Sequence, residues 1–451
     1  MNGEPTAIAG RPGEPAYPPV RIAWWAVAVF FLLYMLSFID RSLLNLLVGP
    51  IRASLGISDF QISLLQGLSF ALFYTAFGIP LGRLVDRGPR RRIICLGILL
   101  WSLATAGCGL AGRYWQLLLG RIGVAVGEAT LAPAAYSLLS DLFPPHRLAL
   151  PMSIMGTGAA VGSAAAAIIG GIVIGAVPAS GMVVPLLGHL AGWQLAFIVA
   201  GLPGLLLAPV IFTVAEPARR AVESFGRPHE PSRAIRHILA DRALYGGHFI
   251  GFGLYSLINY GITTWLPTFF IREHGWSPTS AAVATGWLAL FGVVPGGVMM
   301  GFAVDRWFAS GRRNAHLLFF AGAAIVQMLF VIAAMAATSA AWCIALLVPQ
   351  QMLAGFTGVA AAALQITTPE RMRGEVSAIY LLVFNLIGLG LGPSVVAGFT
   401  DFVFADDMKV GASIALTFIV FAPLCAVLML VAARRMPQAV LRQTAGAGDN
   451  G

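Results

Sequence analysis

Charge is scarce in this chain. Asp, Glu, Lys and Arg together make up 10% of its 451 residues, and Lys409 is its only lysine. With 58% hydrophobic residues, so few ionisable groups cannot cover a soluble globule of this size. Cysteine is equally sparse. Cys95, Cys108, Cys343 and Cys425 have no paired spacing and all fall in apolar runs, which excludes a disulfide framework and a zinc site. The seven histidines lack metal-ligand spacing. His146, His229, His237 and His316 fall in or near cytoplasmic loops, His189 and His274 in outer loops, and His248 early in an apolar run, where it reads as a polar interface residue. No nucleophile elbow, helix-borne metal-binding pair or Cys-His arrangement is present, so the chain is not expected to be an enzyme or to carry a cofactor.

What the chain has in abundance is long apolar runs. Twelve are long enough to cross a hydrocarbon core of about 30 Å as helices: 22–48, 59–82, 91–110, 114–141, 148–176, 193–215, 243–271, 278–304, 314–337, 341–368, 373–402 and 410–433. The first 21 residues are polar and rich in proline and glycine, without a cleavable signal pattern, and read as a disordered tail. The net charge of +9 does not point to nucleic acid, because it is not gathered on one module. About 22 of the 28 basic residues fall in the tails and even-numbered loops, the positive-inside pattern. Both termini are therefore expected in the cytoplasm. Anionic headgroups are the secondary partner of this bias.

The longest charged stretch, 216–242, separates two halves, 22–215 and 243–434, with 435–451 as a second tail. The halves echo one another. Gly82-x3-Asp86-Arg87 follows the second run and Gly301-x3-Asp305-Arg306 follows the eighth, each with a basic cluster behind it. Such internal repetition marks a duplicated membrane bundle with any central site near the midplane. A single chain already holds both halves, so a monomer is expected.

The stretch "GRLVDRGPRRR" resembles the signature of the Major Facilitator Superfamily between its second and third helices, although Pro89 stands where the family usually has glycine. The stretches "GRIGVAVGEATLAPAAYSLLSDLFPPHRLALPMSIMGTGAAVGS" (120–163), "FIDRSLLNLL" (38–47) and "GWQLAFIVAGLPGLLLA" (192–208) resemble the spinster-like branch. The resemblance implies an all-α integral membrane protein of twelve transmembrane helices in two pseudo-symmetric six-helix bundles, in a bacterial-type inner membrane. It also implies a gate latch at Gly82, Asp86, Arg87 and Arg91, with Asp305 and Arg306 as a weaker counterpart. Arg83, Arg90 and Arg92 read as snorkelling anchors. "GTGAAVG" (156–162) follows no strand and is no dinucleotide loop. Gly158, Gly162, Ala166 and Gly170 form a small-residue ridge, matched by Gly388 and Gly392. Both ridges are expected either where the halves rock or in static packing.

Four charges interrupt the apolar runs. Asp40 and Arg41 lie on the first helix, and Arg121 and Glu128 lie two turns apart on one face of the fourth. An isolated charge in hydrocarbon costs at least ~3 kcal/mol, so all four should face one another or a cavity. At about 1.5 Å per residue, Arg41 and Arg121 have similar depths and Glu128 lies near the centre. Asp40 is then expected near Arg121 and Glu128 near Arg41. Glu128 and Asp40 are the candidates for proton coupling, Arg41 and Arg121 for an anionic substrate group. A protonated Glu128 would release Arg41 to that group.

The second half offers amides and aromatics, of which Asn259, Tyr260, Gln350 and Asn385 are the substrate candidates. Such an asymmetry fits a charged head and an apolar body. The expectation is a proton-coupled transporter working by alternating access, on an amphipathic anion such as the lysophospholipid or sphingolipid that the spinster resemblance implies. The alternative is a symporter of small organic acids, since "TTWLPTFFIREHGWS" (263–277) also resembles bacterial anion permeases. Receptor or scaffold roles would leave four buried charges unexplained.

Overall fold

The computed structural model describes residues 17–144, 147–176, 181–185, 188–217, 231–369 and 372–446. It is helical almost throughout. We number the helices α1 (Val20–Leu46), α2 (Val48–Leu55), α3 (Asp59–Val85), α4 (Arg90–Cys108), α5 (Tyr114–Leu142), α6 (Ala149–Ala176), α7 (Gly192–Thr213), α8 (Pro231–Ala240), α9 (Arg242–His274), α10 (Pro278–Ala309), α11 (Ala315–Met335), α12 (Ala340–Thr367), α13 (Arg373–Phe404) and α14 (Val410–Gly446). Ten of these are long and apolar enough to cross a membrane. With α6 and α9, of 28 and 33 residues, they make the twelve expected spans; α2 and α8 are the short extras. In hydrocarbon a chain must satisfy its backbone internally, and the helix does so within one segment.

Several spans are interrupted, and the interruptions recur in both halves. The α5 span breaks at Ala129 and Thr130, and α12 breaks at residues 353–356. Single π turns widen α3 at Leu64–Leu68 and α10 at Ala289–Val293, and two more lie in α13 at Leu386–Leu391 and Phe399–Phe404. Wide turns of this kind mark places where a helix is locally re-aimed.

Two features were not expected. A small antiparallel hairpin, β1 (Met182–Val184) with β2 (Gly188–Leu190), joins α6 to α7 with Met182 opposite Leu190. The last helix runs on to Gly446, across much of the stretch read as a tail, because Met436, Ala439 and Val440 are buried. The first sixteen residues of the other tail lie outside the described residues, as do residues 218–230 of the linker read at 216–242.

The described residues form two compact units. The first holds residues up to Ile57 and 69–217; the second holds Ser58–Leu68 and everything from 231 on. The start of α3 thus belongs with the second half of the sequence. Within the first unit the α6 ridge lies on α1: a Cβ on Gly162 would meet the Met35 carbonyl oxygen at 2.2 Å, and one on Gly158 the Phe31 oxygen at 2.7 Å. Within the second, a Cβ on Gly392 of α13 would meet the Leu257 carbonyl oxygen of α9 at 2.7 Å. Both ridges are therefore used inside a unit, where the absence of side chains lets two backbones approach; this is the static member of the two roles expected for them.

Candidate functional site

The four intramembrane charges all lie in the first unit. Ser37 and Arg41 are one helical turn apart on α1 and so share a face. On α5, Arg121 and Glu128 share another, two turns apart. What lets α5 come close enough is glycine on its adjoining side: a Cβ on Gly127 would lie 2.7 Å from the Trp101 amide nitrogen of α4. The backbones of α4 and α5 therefore come together beside Glu128.

Glu128 Oε2 accepts from Ser37 Oγ at 2.7 Å and from Arg41 Nε at 2.5 Å, and Arg41 Nη2 lies 2.5 Å from the same oxygen. The other oxygen, Oε1, is buried without a hydrogen-bond partner. Two donors of one guanidinium thus converge on a single oxygen, leaving an unused acceptor beside them. Exposure separates the partners: the Arg41 side chain is 23% accessible and that of Glu128 0%. Aromatic faces hold the guanidinium, with Phe70, Phe38 and Tyr74 ring centres at 4.4, 4.8 and 5.2 Å from Arg41 Cζ. Such stacking favours a cation at a desolvated site.

Asp40 is 2% exposed. Its Oδ2 accepts from Thr105 Oγ1 of α4 at 3.1 Å, while Oδ1 is buried without a partner. Arg121, 1% exposed, donates through Nη1 to the Asp40 backbone oxygen at 3.2 Å, and its Cζ stands 5.7 Å from the Phe70 ring centre. Phe70 therefore lies within ring-contact distance of both arginines. The structure brings Arg41 onto Glu128 and Arg121 onto the backbone of Asp40. Sequence reasoning did not find Ser37, Thr105, Phe70 or Tyr74. Phe70 and Tyr74, four residues apart on the second run, were the available signal.

The candidates of the second unit are distributed differently. Asn259 Nδ2 donates to the Tyr255 carbonyl at 2.8 Å and to Gln327 Oε1 at 3.3 Å. Gln327 Nε2 donates to Asn259 Oδ1 at 3.2 Å and to the Gln350 carbonyl at 3.1 Å. Gln350 Nε2 also donates to Asn259 Oδ1, at 3.3 Å. Gln327 and Gln350 are fully buried. Asn259 and Gln350 are thus members of an interhelical amide cluster centred on Gln327, which the sequence reading passed over. Tyr260 and Asn385 are half-buried outside it.

The latch residues scatter. Gly82 and Arg87 lie in and at the end of the second span, half-buried and exposed respectively, and Asp305 and Arg306 are exposed on α10. The Asp86 side chain lies outside the described residues. Arg91, expected near Asp86, is held by Glu216 Oε2 at 3.0 Å and by the carbonyls of Phe212 and Val214, each at 3.1 Å. Its neighbour corrects the sequence reading outright. Arg90, read as a snorkelling anchor, is 1% exposed; it pairs with Asp141, donates to Ser137 Oγ at 3.1 Å and to the Pro217 carbonyl at 3.0 Å. The Arg90 backbone N–H, first in α4, donates to Glu216 Oε1 at 2.7 Å. A carboxylate at a helix start caps free N–H groups and meets the positive end of the dipole. Burial works to raise the Glu216 carboxyl, but hydrogen bonds from Arg91 and Arg90, together with their charges, outweigh it and leave Glu216 below its ordinary range.

At the opposite end of α9, Arg272 grips Asp59 with Nη1 on Oδ2 at 2.5 Å and Nη2 on Oδ1 at 2.8 Å, a bidentate fork. The Phe60 N–H donates to Asp401 Oδ2 at 2.7 Å. Oxygens of Asp59, Asp401 and Asp407 lie within 4.8 Å of one another. The guanidinium already supplies the positive charge there.

The family model described as Major Facilitator Superfamily matches residues 30–393. An MFS-type efflux pump of Mycolicibacterium smegmatis is 28% identical over 406 residues, 86% of each chain. A probable galactarate/D-glucarate transporter of Bacillus subtilis is 25% identical over 83% of this chain and 85% of its own. In solved structures, a bacterial homolog of the human lysosomal transporter spinster, captured inward-facing and unoccupied, superposes with a TM-score of 0.79 at 25% identity, covering 94% of this chain and 99% of that one.

Proposed function

Because this chain belongs to the Major Facilitator Superfamily, we propose that it is a proton-coupled secondary active transporter of an amphipathic anion, working by alternating access from a bacterial-type inner membrane with both termini in the cytoplasm. One observation carries the reading: Arg41 is accessible while its counter-ion Glu128 is sealed. A proton on Glu128 removes the negative charge and converts one carboxylate oxygen into a donor. Arg41 then has an unspent charge on its accessible side, still held by aromatic faces, and takes the anionic group of the substrate. Loss of the proton restores the pair and expels the anion. Asp40 offers a second proton acceptor at its unpartnered Oδ1, and Arg121, held on the Asp40 backbone, relays that change of charge towards α5.

The resemblance of the sequence to the spinster-like branch favours a lipid-like substrate, its anionic group taken by Arg41. Similarity to a probable galactarate/D-glucarate transporter favours a second reading, a symporter of small organic acids on the same arginine. The ion pairs around Arg90, Arg91 and Glu216, next to Asp86 and Arg87 in sequence, are the cytoplasmic latch in this reading.

The test is uptake into liposomes under an imposed pH gradient, with one panel of lysolipids and one of organic acids, for the wild type and Glu128→Gln. The expected result is gradient-driven accumulation of one panel, lost in Glu128→Gln while exchange persists. Accumulation that survives the substitution would overturn the role of Glu128.

A further inference from the structure

The linker helix α8 carries a surface with no part in the readings above. Its His237 Nε2 lies 2.8 Å from the Tyr245 hydroxyl of α9, although the two residues are eight positions apart. In one continuous helix eight residues span about 12 Å. The chain bends between them at Asp241, whose φ of −129° and ψ of 60° leave the helical region. The Asp241 side chain accepts from the Leu244 N–H at 3.3 Å and starts α9 afresh. Tyr245 donates onward to the Thr367 carbonyl at 3.2 Å. α8 is thereby pinned beside the end at which α9 begins, and it packs against α13 as well.

This pinning fixes which side of α8 faces out. Ala234 is 1% exposed and His237 is half-buried, whereas Ile235 and Leu239, one turn apart, are 48% and 61% exposed. Around the same helix from that apolar flank Arg236 is exposed, and Arg242 is exposed at the first residue of α9. An apolar flank bordered by arginines is the pattern of a helix lying in a membrane interface, its apolar side sunk about 5–10 Å into the headgroup boundary. The covalent geometry supplies the membrane: α8 ends two residues before a helix of 33 residues that crosses it.

We propose that α8 is an interfacial helix, seating Ile235 and Leu239 at the boundary between headgroups and acyl chains and taking acidic phospholipid headgroups on Arg236 and Arg242. The occupant is the bilayer surface itself. Complementary charge selects its anionic leaflet, where each basic residue near the surface contributes about a five-fold change in affinity. Because α8 is hydrogen-bonded through His237 to Tyr245 and from there to the end of α12, headgroup binding would be felt at the starts of α9 and α13 without any substrate present.

The full-length protein tests this in nanodiscs of phosphatidylcholine alone or with one third phosphatidylglycerol. A Cys95→Ser background suffices for labelling, since Cys108, Cys343 and Cys425 are buried. A nitroxide at Leu239→Cys is compared with one at Ala240→Cys, which is exposed a hundred degrees further round the helix. The expected result is several-fold greater broadening by oxygen than by a water-soluble nickel chelate at 239, the reverse at 240, and deeper immersion of 239 with phosphatidylglycerol. Arg236→Glu with Arg242→Glu should abolish the dependence on phosphatidylglycerol. Nickel access at 239 equal to that at 240 would overturn the proposal, as would shielding of 239 from both reagents, the sign of a protein partner. A phosphatidylglycerol response that survives both arginine reversals would overturn the headgroup assignment.

Discussion

The interior of the first unit and that of the second each hold a polar cluster on facing membrane helices, built from different chemistry. In the first, Asp40, Arg41, Arg121 and Glu128 are ionisable, and two of their carboxylate oxygens have no partner. In the second, Asn259, Gln327 and Gln350 share hydrogen bonds between neutral amides, leaving only Gln350 Oε1 over. A proton can change the first cluster and has nothing to act on in the second. Buried ion pairs are poor sources of stability but sensitive ones, because removing one partner strands the other. Interhelical amides are modest and steady. Under the proposed function, switching belongs to the ionisable cluster of the first unit, and the neutral amides of the second serve as packing.

The sharpest way to break that contrast is Arg41→Leu, which leaves the sealed Glu128 carboxylate with Ser37 alone. A loss of about 3–5 kcal/mol is expected, read by chemical unfolding in detergent at neutral pH, and Arg41→Leu with Glu128→Leu should recover most of it. If the double variant is no more stable than the single, the pair is not the unit that it is taken to be here. Gln327→Leu should cost less, about 1–2 kcal/mol by the same measurement, and leave the pH dependence of transport where it was; a moved pH profile would mean that the amide cluster is not a passive scaffold. The smallest effect is expected outside the membrane, at Glu216. Its carboxyl is held below the ordinary 4.5, so its contribution is present above that value and is lost as pH falls through the depressed folded value. Glu216→Gln should remove the acid-induced loosening at the start of α4, followed by hydrogen exchange below about pH 4.5. Unchanged acid sensitivity would assign that loosening to another group.

Twelve spans were legible because apolar runs long enough for a bilayer leave little choice of structure, and because arginines alternate from loop to loop. The four buried charges were legible for a related reason: an ionisable residue in hydrocarbon is costly enough to need an explanation. Hydroxyls and rings carry no such cost. Ser37, Thr105, Phe70 and Tyr74 therefore read as ordinary membrane-helix residues until the fold placed them around Asp40, Arg41 and Glu128. Arg90 misled because its partners are distant in sequence, Asp141 by 51 positions and Glu216 by 126. The π turns left no mark in the pattern of side chains, and neither did the attachment of Ser58–Leu68 to the second unit.

That attachment has a consequence for biogenesis. Asp59 is made 213 residues before the arginine that neutralises it, an interval of roughly ten to forty seconds at ordinary rates of synthesis. Throughout it, a carboxylate that is fully buried in the finished protein has to wait in water, at a headgroup or against an insertion chaperone. A fragment ending before Arg272 would display the same acid permanently, offering cellular quality control a mark by which to tell a truncated chain from a complete one.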